Sequence, residues 1–266
     1  MTALTWATDI HLNFVDDDAI DALAAEMRAA AGSIYVVSGD ISEAPQLQRH
    51  LERLVAGLDG PLHFVLGNHD YYRSQIDAVR SAIARLDERH PDLYYLPLHP
   101  PLAIADGVVL VGVDGWGDAR FGDPAFTRVR LNDFAYIGDL RGHRYPDLRR
   151  KLERLGDAEA ARLAPKVNAA VVAAEHVVIV THVPPFREAC IHEGAISDDD
   201  WLPFFTCRAV GEVIRTAAER HRDHRFTVLC GHTHSPGQVE LAHNLEVHTG
   251  AACYGQPAIA DVIEID

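Results

Sequence analysis

Leu66-Gly67-Asn68-His69-Asp70 is the stretch around which the chain is organised. The run before it, Pro61-Leu62-His63-Phe64-Val65-Leu66, is apolar apart from His63, and Gly67 breaks it before three polar side chains follow at once. A strand that stops at a glycine and delivers Asn, His and Asp to its C-terminal edge is how open α/β sheets present chemistry. Asn68 offers a neutral oxygen ligand, His69 a titrating nitrogen, and Asp70 a carboxylate able to orient that histidine.

Toward the N-terminus the same arrangement recurs. Ala3 to Thr8 reads as a strand that runs into Asp9-Ile10-His11, and on an extended segment Asp9 and His11 share a face. Asp16 to Ala31 carries Ile20, Leu23, Ala24, Met27 and Ala31 at helical spacing, with aspartates in its first turn. Ile34 to Ser38 is an apolar strand of the buried parallel kind, ending at Gly39-Asp40. Pro45 opens a helix with Leu47, Leu51, Leu54, Val55 and Leu58 inward, and Ser74 is the expected cap of the next. Strand, helix, strand, helix, strand, helix is a parallel α/β half.

Toward the C-terminus, Leu102 to Val113 predicts one or two strands turning at Asp106-Gly107. From Gly115 to about Ala174 strand character is missing. We expect a mainly helical insertion there, over or beside the site, with a solvated basic face (Arg149, Arg150, Lys151, Arg154) on its helix. Val177 to Thr181 resumes the sheet and ends at His182. A helix through Val210, Val213, Ile214 and Ala217 follows, then a strand from Phe226 to Cys230 that ends in Gly231-His232-Thr233-His234. Strands near 237–242, 245–249 and 258–264 close the chain, and His248 among them is expected to be structural. There is no internal repeat or Gly/Ser linker, so one domain is expected over residues 1–266.

Composition narrows the function. Lys and Arg number 24 against 39 Asp and Glu, a net charge of −15, which argues against a nucleic-acid groove built on cationic neutralisation of phosphates. An anionic substrate is still allowed, because bound divalent metals reverse the local field. Cys190, Cys207, Cys230 and Cys253 form no C-x-x-C pair, so neither a disulfide framework nor a zinc cluster is expected. No run resembles a signal peptide or reaches the length of a membrane span, and the expectation is a soluble, cytoplasmic protein.

Five apolar strands thus end in Asp9-x-His11, Asp40, Asn68-His69-Asp70, His182 and His232-x-His234. Parallel strands bring their C-terminal ends to one edge, which would gather all five clusters. Carboxylate, carboxamide oxygen and imidazole without thiolate suit a pair of hard-to-borderline divalent ions. Such a pair, roughly 3.5–4 Å apart, can share a carboxylate, activate a bridging water and clamp a phosphoryl oxygen. Asp40 is the natural bridge, since a carboxylate has lone pairs for both ions.

The ordered blocks D-x-H, G-D, G-N-H-D, H and G-H-x-H resemble those of the calcineurin-like metallophosphoesterase superfamily, from Asp9 to His234. That resemblance implies a four-layer α/β/β/α sandwich with two mixed β-sheets and a metal site at the strand C-terminal edge. Residue by residue, it implies one metal on Asp9, His11, Asp40 and His234 and another on Asp40, Asn68, His182 and His232. His69 matches the non-ligand histidine that contacts the phosphate or protonates the leaving group, with Asp70 as its support. Phosphoprotein phosphatases of the superfamily continue G-D-x-x-D-R, whereas this chain has Gly39-Asp40-Ile41-Ser42-Glu43-Ala44. The pattern is closer to bacterial phosphodiesterases.

The implied function is two-metal hydrolysis of a small phosphodiester or phosphomonoester by a metal-bridging hydroxide, with Mn or Fe as the metals and Zn as a third choice. A nuclease of the same superfamily and a metal-binding regulatory protein are the alternatives, and nucleic acid is disfavoured by the charge. The segment after His182 supplies a candidate substrate wall of His192, Asp198, Asp199, Asp200, Trp201, Phe204 and Phe205, of which His192, Trp201 and Phe204 are the named substrate-binding residues.

Overall fold

A computed structural model describes residues 2–265, so Met1 and Asp266 of the expected single domain lie outside the described residues. The first part alternates strand and helix: β1 (Ala3–Ala7), α1 (Asp17–Ala29), β2 (Ile34–Ser38), α2 (Ala44–Ala56), β3 (Leu62–Val65), α3 (Ile76–Arg89) and β4 (Leu93–Tyr95). Next come β5 (Leu102–Ala105) and β6 (Val108–Gly112), which pair as an antiparallel hairpin. An irregular stretch holding the short α4 (Asp133–Tyr136) leads to the 29-residue α5 (Tyr145–Ala173) and then to β7 (His176–Val180). The remainder is β8 (Ile191–His192), β9 (Ala195–Ile196), α6 (Leu202–Phe205), α7 (Arg208–Arg220), β10 (Arg225–Cys230), β11 (Gly237–Ala242), β12 (Leu245–Thr249) and β13 (Ile259–Glu264). Among the described residues no helix is long and apolar enough to cross a membrane.

Local chemistry accounts for four helix starts, a capping bond at α1 and a proline in the first turn of α2, α5 and α6. Asp16 caps α1 by accepting the Ala19 N–H at 3.0 Å, and Asp17 and Asp18 add favourable charge in the first turn. The start of α3 differs from expectation. Ser74 is not its cap; Gln75 holds that position without a capping bond, and the Ile76 N–H donates instead to Asp139 Oδ2 at 2.7 Å. That acceptor comes from the segment after β6, so a local pattern could not reveal it.

One sheet has the order β13-β1-β2-β3-β4, with β1 to β4 parallel and β13 antiparallel at the edge. The other runs β11-β12-β10-β7-β6-β5, with a parallel centre and antiparallel β11 and β5 outside. Side chains alternate across each strand. Leu4, Trp6, Val36 and Val65 of the first sheet therefore face Val108, Leu110, Val178, Val180 and Leu229 of the second in a shared core. The opposite face of the first sheet, Tyr35, Val37 and Phe64, is covered by Ile20, Leu51 and Ile83 of α1, α2 and α3. The opposite face of the second, Val109, Val111, Val177 and Ile179, is covered by Leu163 and Val167 of α5 and Val210 and Ile214 of α7. Three cores separate four layers, α/β/β/α. Each fully buried side chain of this size contributes about 1.5–3 kcal/mol of transfer free energy.

α5 crosses from β6 to β7 and serves two cores: Leu148 and Leu152 pack with the first sheet's helices, Leu163 and Val167 on the second sheet. A buried polar network sits beneath it. Asp114, just past β6, accepts the Leu66 N–H at 3.0 Å, the Tyr71 and Tyr95 hydroxyls at 2.8 and 2.7 Å, and Arg80 Nη2 at 2.9 Å. Arg80 also donates to Glu159 of α5 at 2.7 Å. Asp114 thereby anchors the backbone that leads into Asn68. Removing one partner of a buried pair leaves the others uncompensated, so Asp114→Ala is expected to destabilise the fold by about 3–5 kcal/mol. Denaturant unfolding measures it, and a loss below about 1 kcal/mol, the net worth of one ordinary hydrogen bond, would show that the network is not holding the loop.

Candidate metal centre

β1, β2 and β3 run parallel in one sheet and β7 and β10 in the other, and the sheets stack so that the segments after all five C-terminal ends meet along one edge of the sandwich. Asp9 and His11 follow β1, Asp40 follows β2, Asn68 follows β3, His182 follows β7, and His232 and His234 follow β10. The turns that carry them are strained. Asp9 (φ 50°), His11 (41°), Asp40 (51°), His232 (71°) and His234 (58°) all lie in the left-handed region; among the described non-glycine residues only Arg73, Ala119 and Glu193 join them. Such conformations cost on the order of 1–3 kcal/mol each and persist where the surroundings over-determine them.

Backbone bonds between neighbouring strand ends supply that constraint: Asp9 N–H to Gly39 O and His11 N–H to Asp40 O, both 3.0 Å, and Gly231 N–H to His182 O at 2.8 Å. The glycines before the ligands are there for space. A Cβ on Gly67 would lie 2.2 Å from Asp40 Oδ1, and one on Gly231 2.0 Å from Asp9 Oδ2.

The side chains converge in two groups that share Asp40. Asp9, His11, Asp40 and His234 offer ligand atoms all within 4.8 Å of one another, and so do Asp40, His182 and His232. Asn68 completes the second group, its Oδ1 lying 3.1 Å from His182 Nε2. Asp40 turns one oxygen to each side: Oδ1 is 3.4 Å from His182 Nε2, and Oδ2 is 3.8 Å from His11 Nε2. His11 Nε2 lies 3.1 Å from His234 Nε2, and His232 Nδ1 lies 3.3 Å from His182 Nε2.

Surrounding carbonyls select which ring nitrogen faces inward. His182 Nδ1 donates to Ser38 O at 2.9 Å and His232 Nε2 to Phe204 O at 3.2 Å, leaving the other nitrogen of each ring toward the cluster. Asn68 Nδ2 donates to Asp133 Oδ1 at 2.8 Å, which turns its oxygen inward in the same way.

Nitrogen and oxygen acceptors this close repel one another unless positive charge lies between them. The cluster already attracts it. Burial disfavours a charged His182, but the Asp40 and Asp9 carboxylates outweigh burial and hold its pKa up at about 10. Burial takes His11 down to about 4 and, with the neighbouring His182, His232 down to about 3, which keeps both as neutral nitrogen donors. Buried acceptors of N and O type, without thiolate, fit a hard-to-borderline divalent cation.

The profile of the calcineurin-like phosphoesterase family matches residues 3–236. The chain belongs to this family. No match was found among curated proteins. Among solved structures, phosphopantetheinyl hydrolase (PptH) from Mycobacterium tuberculosis superposes with a TM-score of 0.66 at 16% identity, over 95% of this chain and 90% of that one. A dimetal phosphatase from Danio rerio gives 0.57 at 14% identity, over 94% and 87%. These likenesses are of fold.

The cluster of this phosphoesterase opens into a cleft of about 220 Å³, lined by Asn68, His69, Tyr72, Leu131, Asp133, His192, Phe205 and Tyr254 among others. No lysine or arginine is among its lining residues. His69 belongs to neither convergent group: its backbone N–H donates to Asp40 Oδ1 at 2.8 Å, while its ring stacks on Tyr72 at 4.2 Å and faces the cleft.

Three sequence-based expectations are corrected by position. Asp70 does not support His69; its oxygens accept the Ser42 and Gly67 N–H groups at 2.8 Å each. The His69–Tyr71 segment is a 3₁₀ turn, in which consecutive side chains point roughly 120° apart, so His69 faces the cleft and Asp70 the interior. Phe204 is 2% exposed and packs against Phe134 and Tyr145, so only its carbonyl reaches the site and Phe205 takes the cleft wall. Trp201 does not line the cleft but backs Phe205 at 5.1 Å between ring centres, as the i, i+4 spacing of one helical turn dictates. His192 does line the cleft.

Tyr72, Leu131, Asp133 and Tyr254 escaped the sequence reading. None stands within four residues after a strand's C-terminal end, the signal that located the seven metal-ligand candidates.

Proposed function

We propose that the chain is a two-metal phosphoesterase that hydrolyses a small phosphodiester or phosphomonoester. The observation that carries this is the pair of donor groups sharing Asp40, one of its oxygens toward each. Asp9, His11, Asp40 and His234 would hold one ion and Asp40, Asn68, His182 and His232 the other. Mn or Fe suits the mixed carboxylate, carboxamide and imidazole set, and Zn is a third choice. When bound, the ions supply Lewis-acid charge at the phosphoryl oxygens and a nucleophile active near neutral pH.

The chain's own groups divide the remaining tasks. His69 reaches the cleft without joining either donor group and is assigned the proton for the departing oxygen. Tyr72, Leu131, Phe205 and Tyr254 exclude water around the rest of the substrate. A cleft without lysine or arginine has no further charge for a second phosphate. The favoured substrate therefore carries one phosphoryl group and a flat or apolar leaving group. The net charge of −15 supports a small molecule over a nucleic acid. Four free cysteines, one of them exposed, suit a reducing cytoplasm.

Chelation should abolish turnover of aryl phosphoesters, and Mn²⁺ should restore it at two ions per chain. Nucleoside monophosphates and single-phosphate diesters should be hydrolysed in preference to nucleoside triphosphates. Full activity with one bound ion or none at saturating Mn²⁺ would reject the two-metal assignment.

A further inference from the structure

Building on the two-ion assignment above, we propose that Asp133 is a positioning residue for one ion only, the one held by Asp40, Asn68, His182 and His232. Asp133 is 6% exposed and comes from the stretch between β6 and α5, which supplies no candidate ligand itself. Its Oδ1 accepts two bonds, from Asn68 Nδ2 at 2.8 Å and from the Tyr72 hydroxyl at 2.7 Å. A carboxamide can turn either end to a cation, and only its oxygen is a ligand. An acceptor placed against Nδ2 removes that choice. Through Tyr72, whose ring carries His69, the same oxygen also supports the proposed proton donor.

The stretch around Asp133 is tied to both loops that serve this ion. On one side, Arg73 N–H donates to Tyr136 O at 2.9 Å and Gly138 N–H to Ser74 O at 2.8 Å, which fixes it to the loop after Asn68. On the other, Ala119 N–H donates to Pro203 O at 2.8 Å, Asp123 N–H to Asp199 O at 2.8 Å and Asp118 N–H to Thr206 O at 3.0 Å. That second loop carries the Phe204 carbonyl, which accepts from His232. Asp9 and His11 are held differently, by the loop after β2, through Gly39 O and Asp40 O. One ion is thus braced by an added segment and the other by the strand ends themselves.

The test is calorimetric titration of the chelator-treated full chain with Mn²⁺, with electron paramagnetic resonance to separate coupled from isolated Mn²⁺. Wild type should bind two ions. Asp133→Leu, which keeps the branched shape and removes the acceptor, should weaken one of them by about 10–100-fold, the usual effect of losing a ligand's hydrogen-bond partner, and leave the other unchanged. The coupled signal should give way to that of isolated Mn²⁺. Asp133→Asn retains an oxygen at the same position and should bind both ions as wild type does. If Asp133→Leu does not fold, Asp133→Ala takes its place in the same titration. Unchanged affinities for both ions, equal weakening of both, or failure of Asp133→Asn to restore binding would overturn the positioning role. Wild type that binds a single ion would overturn the two-ion assignment first, a result distinguishable from all three.

Discussion

Asp40→Asn is expected to lower turnover by on the order of 10³-fold or more, because metal-ion stabilisation of the transition state is worth several kcal/mol and each factor of ten is about 1.4 kcal/mol. The geometry makes this residue special. Asp40 presents Oδ1 toward His182 and Oδ2 toward His11, so its two oxygens serve different donor groups. Asparagine keeps one oxygen and turns an NH₂ to the other side, where it repels a cation. Oδ1 also accepts the His69 N–H at 2.8 Å, so the substitution disturbs the backbone beneath the proposed acid as well. Asp9→Asn should cost less, since Asp9 belongs to one group alone. His11→Ala should fall between them, its ion keeping three protein ligands. Turnover and metal content measured on the same preparations decide the order. Near-wild-type turnover with two ions in Asp40→Asn would mean that Asp40 is not the bridge.

His69→Asn should lower turnover by roughly 10²–10⁴-fold for substrates with alkyl or ribose leaving groups, the usual contribution of general acid catalysis. An alkoxide is a poor leaving group and needs a proton as the bond breaks. A p-nitrophenolate leaves readily without one, so the loss with p-nitrophenyl esters should be much smaller. Both ions should remain bound, because the ring is outside the two donor groups and is held by stacking on Tyr72 at 4.2 Å. Should His69 only stabilise charge on the phosphoryl oxygens, the loss would be similar for every leaving group. Turnover of wild type and mutant across a leaving-group series separates these outcomes, and a flat ratio rejects the proton-donor role.

Much of the fold and the candidate site was written in short-range pattern. Apolar runs such as Ile34 to Ser38 and Val177 to Val180 became parallel strands, because a strand buried on both faces needs apolar side chains at every position. Seven polar residues stand just past the ends of such strands, and parallel order carries the strand ends of each sheet to one edge. The gathering of Asp9, His11, Asp40 and Asn68 at the edge of one sheet, and of His182, His232 and His234 at the edge of the other, was therefore legible from spacing, and the stacking of the sheets joined the two sets.

Tertiary structure decided what depends on distant partners. β13 returns to pair with β1 in the first sheet rather than extending the second, although β12 lies nearer in sequence. Asp114 takes the Leu66 N–H from 48 residues away, and Asp133 takes the Asn68 carboxamide from 65 away. Nothing in the local sequence marks Asp133, and the place of Asp114 just past β6 does not name its partners, since each owes its role to a buried donor that another part of the chain leaves unpaired. Side-chain direction was decided late too: a tight turn sends Asp70 inward and His69 outward, and one helical turn exchanges Phe204 for Phe205 at the cleft. The sequence determined which groups reach the edge, because the period of a strand is local. Their aim, their bracing and the walls around them came from packing, because hydrogen-bond partners and excluded volume exist only once the layers have closed.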